Sequence, residues 1–312
     1  MTATRTLTRI VVLLGLGSIP APLPAQTADD GIMLSRGVLF TGTLYAHDTW
    51  DEYWEGARKR DNGNIGTLTT ESITWFANYG VTDRLNVIAS VPRVWTHASQ
   101  GVLHQMSGVQ DLSIAAKYSI VQAHTSVGRL QAIGVAAGGL PLTDYSVDFQ
   151  PLSIGFGSKR LSGRGTVNLQ TDAGPFVTGS AAYTLRRTVT LDRPFYFTDG
   201  RFVMSDQVPM PEIFDYALSG GYMRHGLMAA VIFTQQRVLG GGDIRRQDMP
   251  FVSNRMNFTR IGGMLMAPVP KLSALAFHVN YGYVLDGRNV GQSATVSGGL
   301  SYRFHLLGRS EQ

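Results

Sequence analysis

Between Thr69 and Tyr118 apolar and polar side chains trade places across three successive runs, and this period-two pattern admits few folds. Leu85, Val87, Ala89 and Val91 fall on one parity, whereas Asn86 and Ser90, with Ile88 interrupting, fall on the other. Further on, Leu112, Ile114, Ala116, Tyr118 and Ile120 alternate with Asp111, Ser113, Lys117 and Ser119. Runs of this kind are strands with one apolar and one wet face. Gly80 to Arg84 supplies the glycine and aspartate of a tight turn, while the connection from Thr96 to Gly108 is long and polar. Short turns at one end and long loops at the other are how transmembrane barrels treat their periplasmic and outer sides.

The rest of the chain repeats the pattern. About twelve candidate strands follow one another over 36–47, 65–79, 85–95, 109–121, 129–139, 154–169, 176–190, 212–223, 227–236, 255–267, 272–285 and 293–306. The run over 154–169 carries Lys159, Arg160 and Arg164 and reads as partly loop. Long connections over 48–64, 141–153, 191–211 and 239–254 alternate with short ones such as Arg224-His225-Gly226 and Pro268 to Lys271. An even strand number places both chain ends on the periplasmic side, where the short turns lie. The expected fold is therefore an all-β, antiparallel, up-and-down transmembrane barrel over 36–306, with a short periplasmic segment over 26–35 before it and a tail over 307–312 after it. Its locale is the bacterial outer membrane, and its first partner is outer-membrane lipid.

Composition agrees. Charged residues make up only 16% and cysteine is absent, which excludes a disulfide scaffold, a thiolate metal site and a cysteine-linked lipid anchor. The net charge of +5 includes Arg5 and Arg9, and no helix gathers arginines with aromatics, so nucleic acid is not an expected partner. Residues 1–25 read as a secretory signal, with Arg5 and Arg9 in the charged region, Ile10 to Leu16 as the apolar core and cleavage after Ala25. No later segment offers the roughly 18 apolar residues of a spanning helix.

Parity predicts which side chains meet lipid. Ser273, Leu275, Phe277, Val279, Tyr281 and Tyr283 should face outward, as should Val177, Ala181, Tyr183 and Leu185; Trp95, Tyr222, Tyr283 and Tyr302 stand near strand ends, where aromatic girdles belong. Arg93, Asp111, Lys117, Arg186, Asp215, His278, Asn280 and Arg303 are the candidates for lining the lumen and setting its selectivity. Roughly twelve strands lie between the eight that side chains fill and the sixteen that leave an open channel, so the lumen should be narrow and partly obstructed. A plugged barrel whose charges satisfy one another is the competing expectation.

The last strand, Ser297 to Phe304, matches the polar, glycine and two-aromatic pattern recognised by the machinery that inserts outer-membrane barrels, with Gly299, Tyr302 and Phe304 carrying it. Gly80 to Leu85 leading to Val91-Pro92, then Gly108 to Leu112 before Ala116-Lys117-Tyr118, Gly287 to Gly291 and the closing Tyr302-Arg303-Phe304 resemble the outer-membrane transporter family named for the meta-pathway of phenol degradation. The resemblance spans most of the chain to Phe304. It implies a barrel associated with passage of small, often aromatic or hydrophobic compounds. No cofactor is expected.

Two other classes compete. His97-Ala98-Ser99-Gln100-Gly101 resembles the His-x-Ser-x-Gly element of outer-membrane phospholipase A, which would make His97 the base and Ser99 the nucleophile, although no asparagine follows until Asn168 to orient the histidine. A surface-recognition barrel would work through its outer loops. There, the charges over 48–61 lack the spacing of a calcium site, and Trp50, Tyr53 and Trp54 are expected to pack that loop against the barrel mouth. Gly240-Gly241-Gly242-Asp243 has no following Lys-Ser/Thr and is a loop, not a phosphate cradle.

Overall fold

The computed structural model describes residues 27–245 and 249–307, so the expected leader, Met1 to Ala25, lies outside the described residues. Twelve long strands form one antiparallel sheet that closes on itself: β1 Val38–Trp50, β2 Leu68–Gly80, β3 Leu85–Ala98, β4 Asp111–Thr125, β5 Gly128–Pro141, β6 Arg160–Gln170, β7 Pro175–Arg186, β8 Ile213–Arg224, β9 Leu227–Val238, β10 Asn257–Val269, β11 Leu272–Arg288 and β12 Ala294–His305. Each pairs with its neighbours in sequence. Closure falls between β1 and β12, where Leu44 stands opposite Gly299 on one side and opposite Thr74 on the other. A closed barrel pairs every strand edge, which is the condition for a sheet to cross a hydrocarbon layer.

The connections separate by length as the sequence predicts. At one end lie 81–84, 126–127, 171–174, 225–226 and 270–271; at the other lie 51–67, 99–110, 142–159, 187–212, 239–256 and 289–293. In the turn between β8 and β9 both His225 (φ 52°) and Gly226 (φ 83°) are left-handed, the conformation whose twist matches that of the flanking strands. The start of β1 and the end of β12 meet at the short-turn end, where the Gly37 N–H donates to Gly80 O and the Leu306 N–H to Gly37 O. The run over 154–169 divides: 154–159 is loop and β6 begins at Arg160. The expected strand over 176–190 stops at Arg186, and Val189–Thr190 pairs with Gln207–Val208 in the outer loop instead.

Alternation sorts the faces. Val177, Tyr183, Leu185, Val279, Tyr281, Val296 and Leu300 are exposed on the outer surface, whereas Thr178, Ser180, Ser297 and Ser301 of the same strands are buried inside. Tyr222, Tyr302 and Phe304 form part of the aromatic band near the short turns, and Tyr45 and Tyr281 lie nearer the long loops. The apolar core sits in the lower half of the lumen: Phe40, Phe176, Met223, Met228, Met266 and Ala276 project inward there. What they close around is the segment just before β1.

Candidate functional site

Of the stretch over 26–35, expected as a short periplasmic segment, the described residues 27–35 enter the barrel. Ile32 and Leu34 are buried in the apolar cluster just described. This is the physical reason for the correction, because two apolar side chains leave water only by entering the lumen. Asn86, fully buried, brackets Leu34 with its carboxamide, accepting from the Leu34 N–H (2.7 Å) and donating to Leu34 O (3.1 Å). Farther up the lumen two ion pairs hold the strap. Lys117, whose side chain is 0% exposed, donates to Asp30 Oδ1 (2.7 Å) and to Thr27 O (2.9 Å). Arg164 spreads all three guanidinium nitrogens, pairing with Asp29 (2.9 Å) and Asp215 (2.7 Å) and donating to Ser180 Oγ (3.0 Å). Gly31 passes so close to β6 that a Cβ there would lie 2.3 Å from Asn168 Cβ.

Seven of the eight predicted lumen residues project inward, and they occupy different levels of the lumen. Arg303 borders the cavity at the short-turn mouth. His278 Nε2 lies 2.6 Å from Ser301 Oγ, and Asn280 Nδ2 donates to Ser297 Oγ (3.0 Å). Lys117 and Asp215 belong to the strap network. Near the outer end Asp111 pairs with Arg160 (2.9 Å) and accepts from Tyr145 Oη (2.6 Å), and Arg186 Nε donates to Pro211 O (2.6 Å). Arg93 is the exception and must be corrected. It continues the outward parity of Val87 and Val91, is exposed, stands opposite outward Ile73 and lies 5.4 Å from the Trp95 ring centroid. Register, not charge, decides the side, and an arginine near the outer rim can extend its head toward the polar interface.

Sequence reasoning missed Asp29, Asp30 and Arg164. Arg164 was set aside as a mark of loop, yet Arg164, Thr166 and Asn168 alternate with Gly163, Gly165 and Val167, the parity that places them inside. A second missed group is Arg260, which donates to Thr295 Oγ1 (2.6 Å) inside the wall while Thr295 bonds Asp48 (2.5 Å).

Outer loops fold over the upper mouth. Thr96, inward on β3, donates to Leu152 O, and Gln110 Nε2 donates to Ile154 O, which draws the loop over 142–159 inward. Val147, Val189, Leu191, Tyr196, Val208 and Phe251 from three loops form their own apolar cluster. Burial and the Asp111 carboxylate push the Tyr145 phenol well above its ordinary range, so it stays a hydrogen-bond donor in this network. The hairpin over 52–61 packs as expected: Trp54 is buried and its N–H donates to Val290 O (2.9 Å). His97 and Ser99 are not joined by any described hydrogen bond. Ser99 Oγ instead accepts from the Thr67 N–H (2.9 Å), and His97 is exposed at the end of β3.

Two cavities flank the strap. A cavity of about 1270 Å³ opens among Asp83, Gln131, Arg129, Arg224, Arg303 and His305 at the short-turn mouth. A chamber of about 250 Å³ lies on the strap's other side, against Arg164, Phe176, Asp215, Met228 and Met264. Gly31, Ile32 and Met223 border both, so the strap is the partition.

No protein-family model matches the chain, and no curated protein sequence does. Solved structures do. The COG4313 outer membrane channel from Pseudomonas putida F1 superposes with a TM-score of 0.70 at 15% identity, over 88% of this chain and 99% of that one. Looser likenesses are the NanC porin (TM-score 0.47, 8% identity, 83% of this chain and 98% of that one) and the CymD monoaromatic hydrocarbon channel (TM-score 0.39, 11% identity, 87% and 90%). The chain therefore has the fold of an outer-membrane channel, a twelve-stranded barrel partitioned by its own N-terminal strap.

Proposed function

We propose that the protein is an outer-membrane channel that admits small molecules through a narrow, polar lumen, with aromatic or hydrophobic solutes favoured by its resemblance to the phenol meta-pathway transporters. One observation carries the reading: the inward faces hold charged and amide groups at successive levels from Arg303 to Arg186, with space on both sides of the strap. Opposed charges along a pore are how selectivity is set. Gly299, Tyr302 and Phe304 would serve the insertion machinery, the two aromatics being exposed on the outer wall. The phospholipase reading gains nothing from the positions of His97 and Ser99.

The test is single-channel conductance of the refolded chain, without its leader, in planar bilayers, with liposome swelling by small phenols and sugars alongside. Stable conductance is expected, and Arg186→Gln and Arg303→Gln should shift the reversal potential toward cations while Arg93→Gln leaves it unchanged. A folded barrel that neither conducts nor swells liposomes would overturn the channel and favour a structural role.

A further inference from the structure

The chamber above the strap has a composition that its place in a pore does not require. Its wall sets apolar Phe176, Met228, Ile232 and Met264 beside hydroxyl and amide groups: Ser219 stands opposite Ile232 and Asn280 opposite Met264 on neighbouring strands. Thioether side chains adapt their shape and make favourable contacts with ring edges. At about 250 Å³ the chamber exceeds the roughly 150 Å³ of an engineered apolar cavity that takes benzene. Its ionic network is closed on itself. Asp29, Asp30 and Asp215 face Arg164 and Lys117, three carboxylates against two cations, and every nitrogen of both cations has a protein partner. An anion entering here would find, among the described residues, a net negative network whose two cations are already paired.

We infer that this chamber is a solute-binding site, formed jointly by the N-terminal strap and the walls of β6 to β11, that takes an uncharged molecule of single-ring size carrying one hydrogen-bonding group and rejects its carboxylate counterpart. The inference rests on the channel reading for its route of access but adds the site, its walls and its charge discrimination. The apolar side chains pack the ring, and the hydroxyl and amide groups set beside them take the polar group. The strap's two aspartates supply the bias against anions, so the segment is a wall of the site as well as a partition.

Calorimetric titration of the refolded protein in detergent at about pH 7, where phenol is neutral and benzoate ionised, tests this. Phenol should saturate, benzoate should bind at least about tenfold more weakly, and Ala230→Phe, which fills the chamber, should abolish phenol binding while the heat-dependent gel shift of the folded barrel persists. Asp29→Asn combined with Asp215→Asn leaves a net positive network and should raise benzoate binding toward that of phenol; this variant carries the test if Ala230→Phe does not fold. Phenol uptake that never saturates or survives Ala230→Phe, or a benzoate affinity equal to phenol's in the parent, would overturn the site. A protein that conducts without binding phenol loses the site and keeps the channel, whereas one that binds phenol but is silent in the bilayer loses the channel and keeps the site.

Discussion

Gly299 shows how one residue can matter at the seam where the barrel closes. It pairs with Leu44, and a Cβ at this position would lie 2.1 Å from Thr43 O and 2.8 Å from Leu44 Cα, both backbone atoms that cannot step aside. Gly299→Ala is therefore expected to prise β12 from β1 and lower the yield of heat-modifiable barrel on refolding; a yield equal to the parent's would remove the glycine from the closure argument. Asp243 matters at the outer rim. It pairs with Arg288 (2.8 and 2.5 Å) and accepts from Asn289 Nδ2 (2.7 Å), and the Arg288 guanidinium holds its carboxyl below the usual carboxylate range. A depressed carboxyl stabilises the folded loop fully above its unfolded pKa, about 4, and the contribution is lost as pH falls through the folded value. Acidification from about pH 6 to about pH 3 should thus loosen the 239–256 loop from β11 and change the fluorescence of nearby Trp54, and Asp243→Asn should show no such acid-dependent step.

Among elements, the strap and β6 depend on each other. Lys117 is buried, and removing the partner of a buried ion costs roughly 3–5 kcal/mol when water cannot replace it. Deleting residues 27–34 takes away the whole partition, so water enters and solvates Lys117 and Arg164 while the two cavities merge. The expected result is a severalfold rise in single-channel conductance with the barrel still folded, since all of its strand pairs lie outside the deletion. Unchanged conductance would mean that the strap does not limit passage. β6 was harder to read than its neighbours because Gly163 and Gly165 interrupt its outer face between Leu161 and Val167 and the charges at 159, 160 and 164 resemble loop chemistry. Only pairing with β5 and β7 identifies it as a wall strand.

At the scale of the whole molecule the barrel was legible because period-two alternation is a local property and recurs in every spanning strand. Asp111, Lys117, Asp215, His278, Asn280 and Arg303 fall on the inward parity of their own strands. Parity would have placed Arg93 outside, had the alternation from Val87 and Val91 been carried through Pro92. The strand number and the alternation of short and long connections both followed from the chain itself. The course of residues 27–35 did not. That segment has no periodicity, and its position depends on partners far along the chain: Asp30 meets Lys117 across 87 residues, and Asp29 meets an arginine that β6 must first turn inward. Closure of the barrel creates the enclosed, charged interior in which those contacts become favourable. The sequence by itself thus determined the wall, through backbone pairing and alternation, and only the tertiary structure decided what fills it, because the lumen exists only once the first and last strands have met.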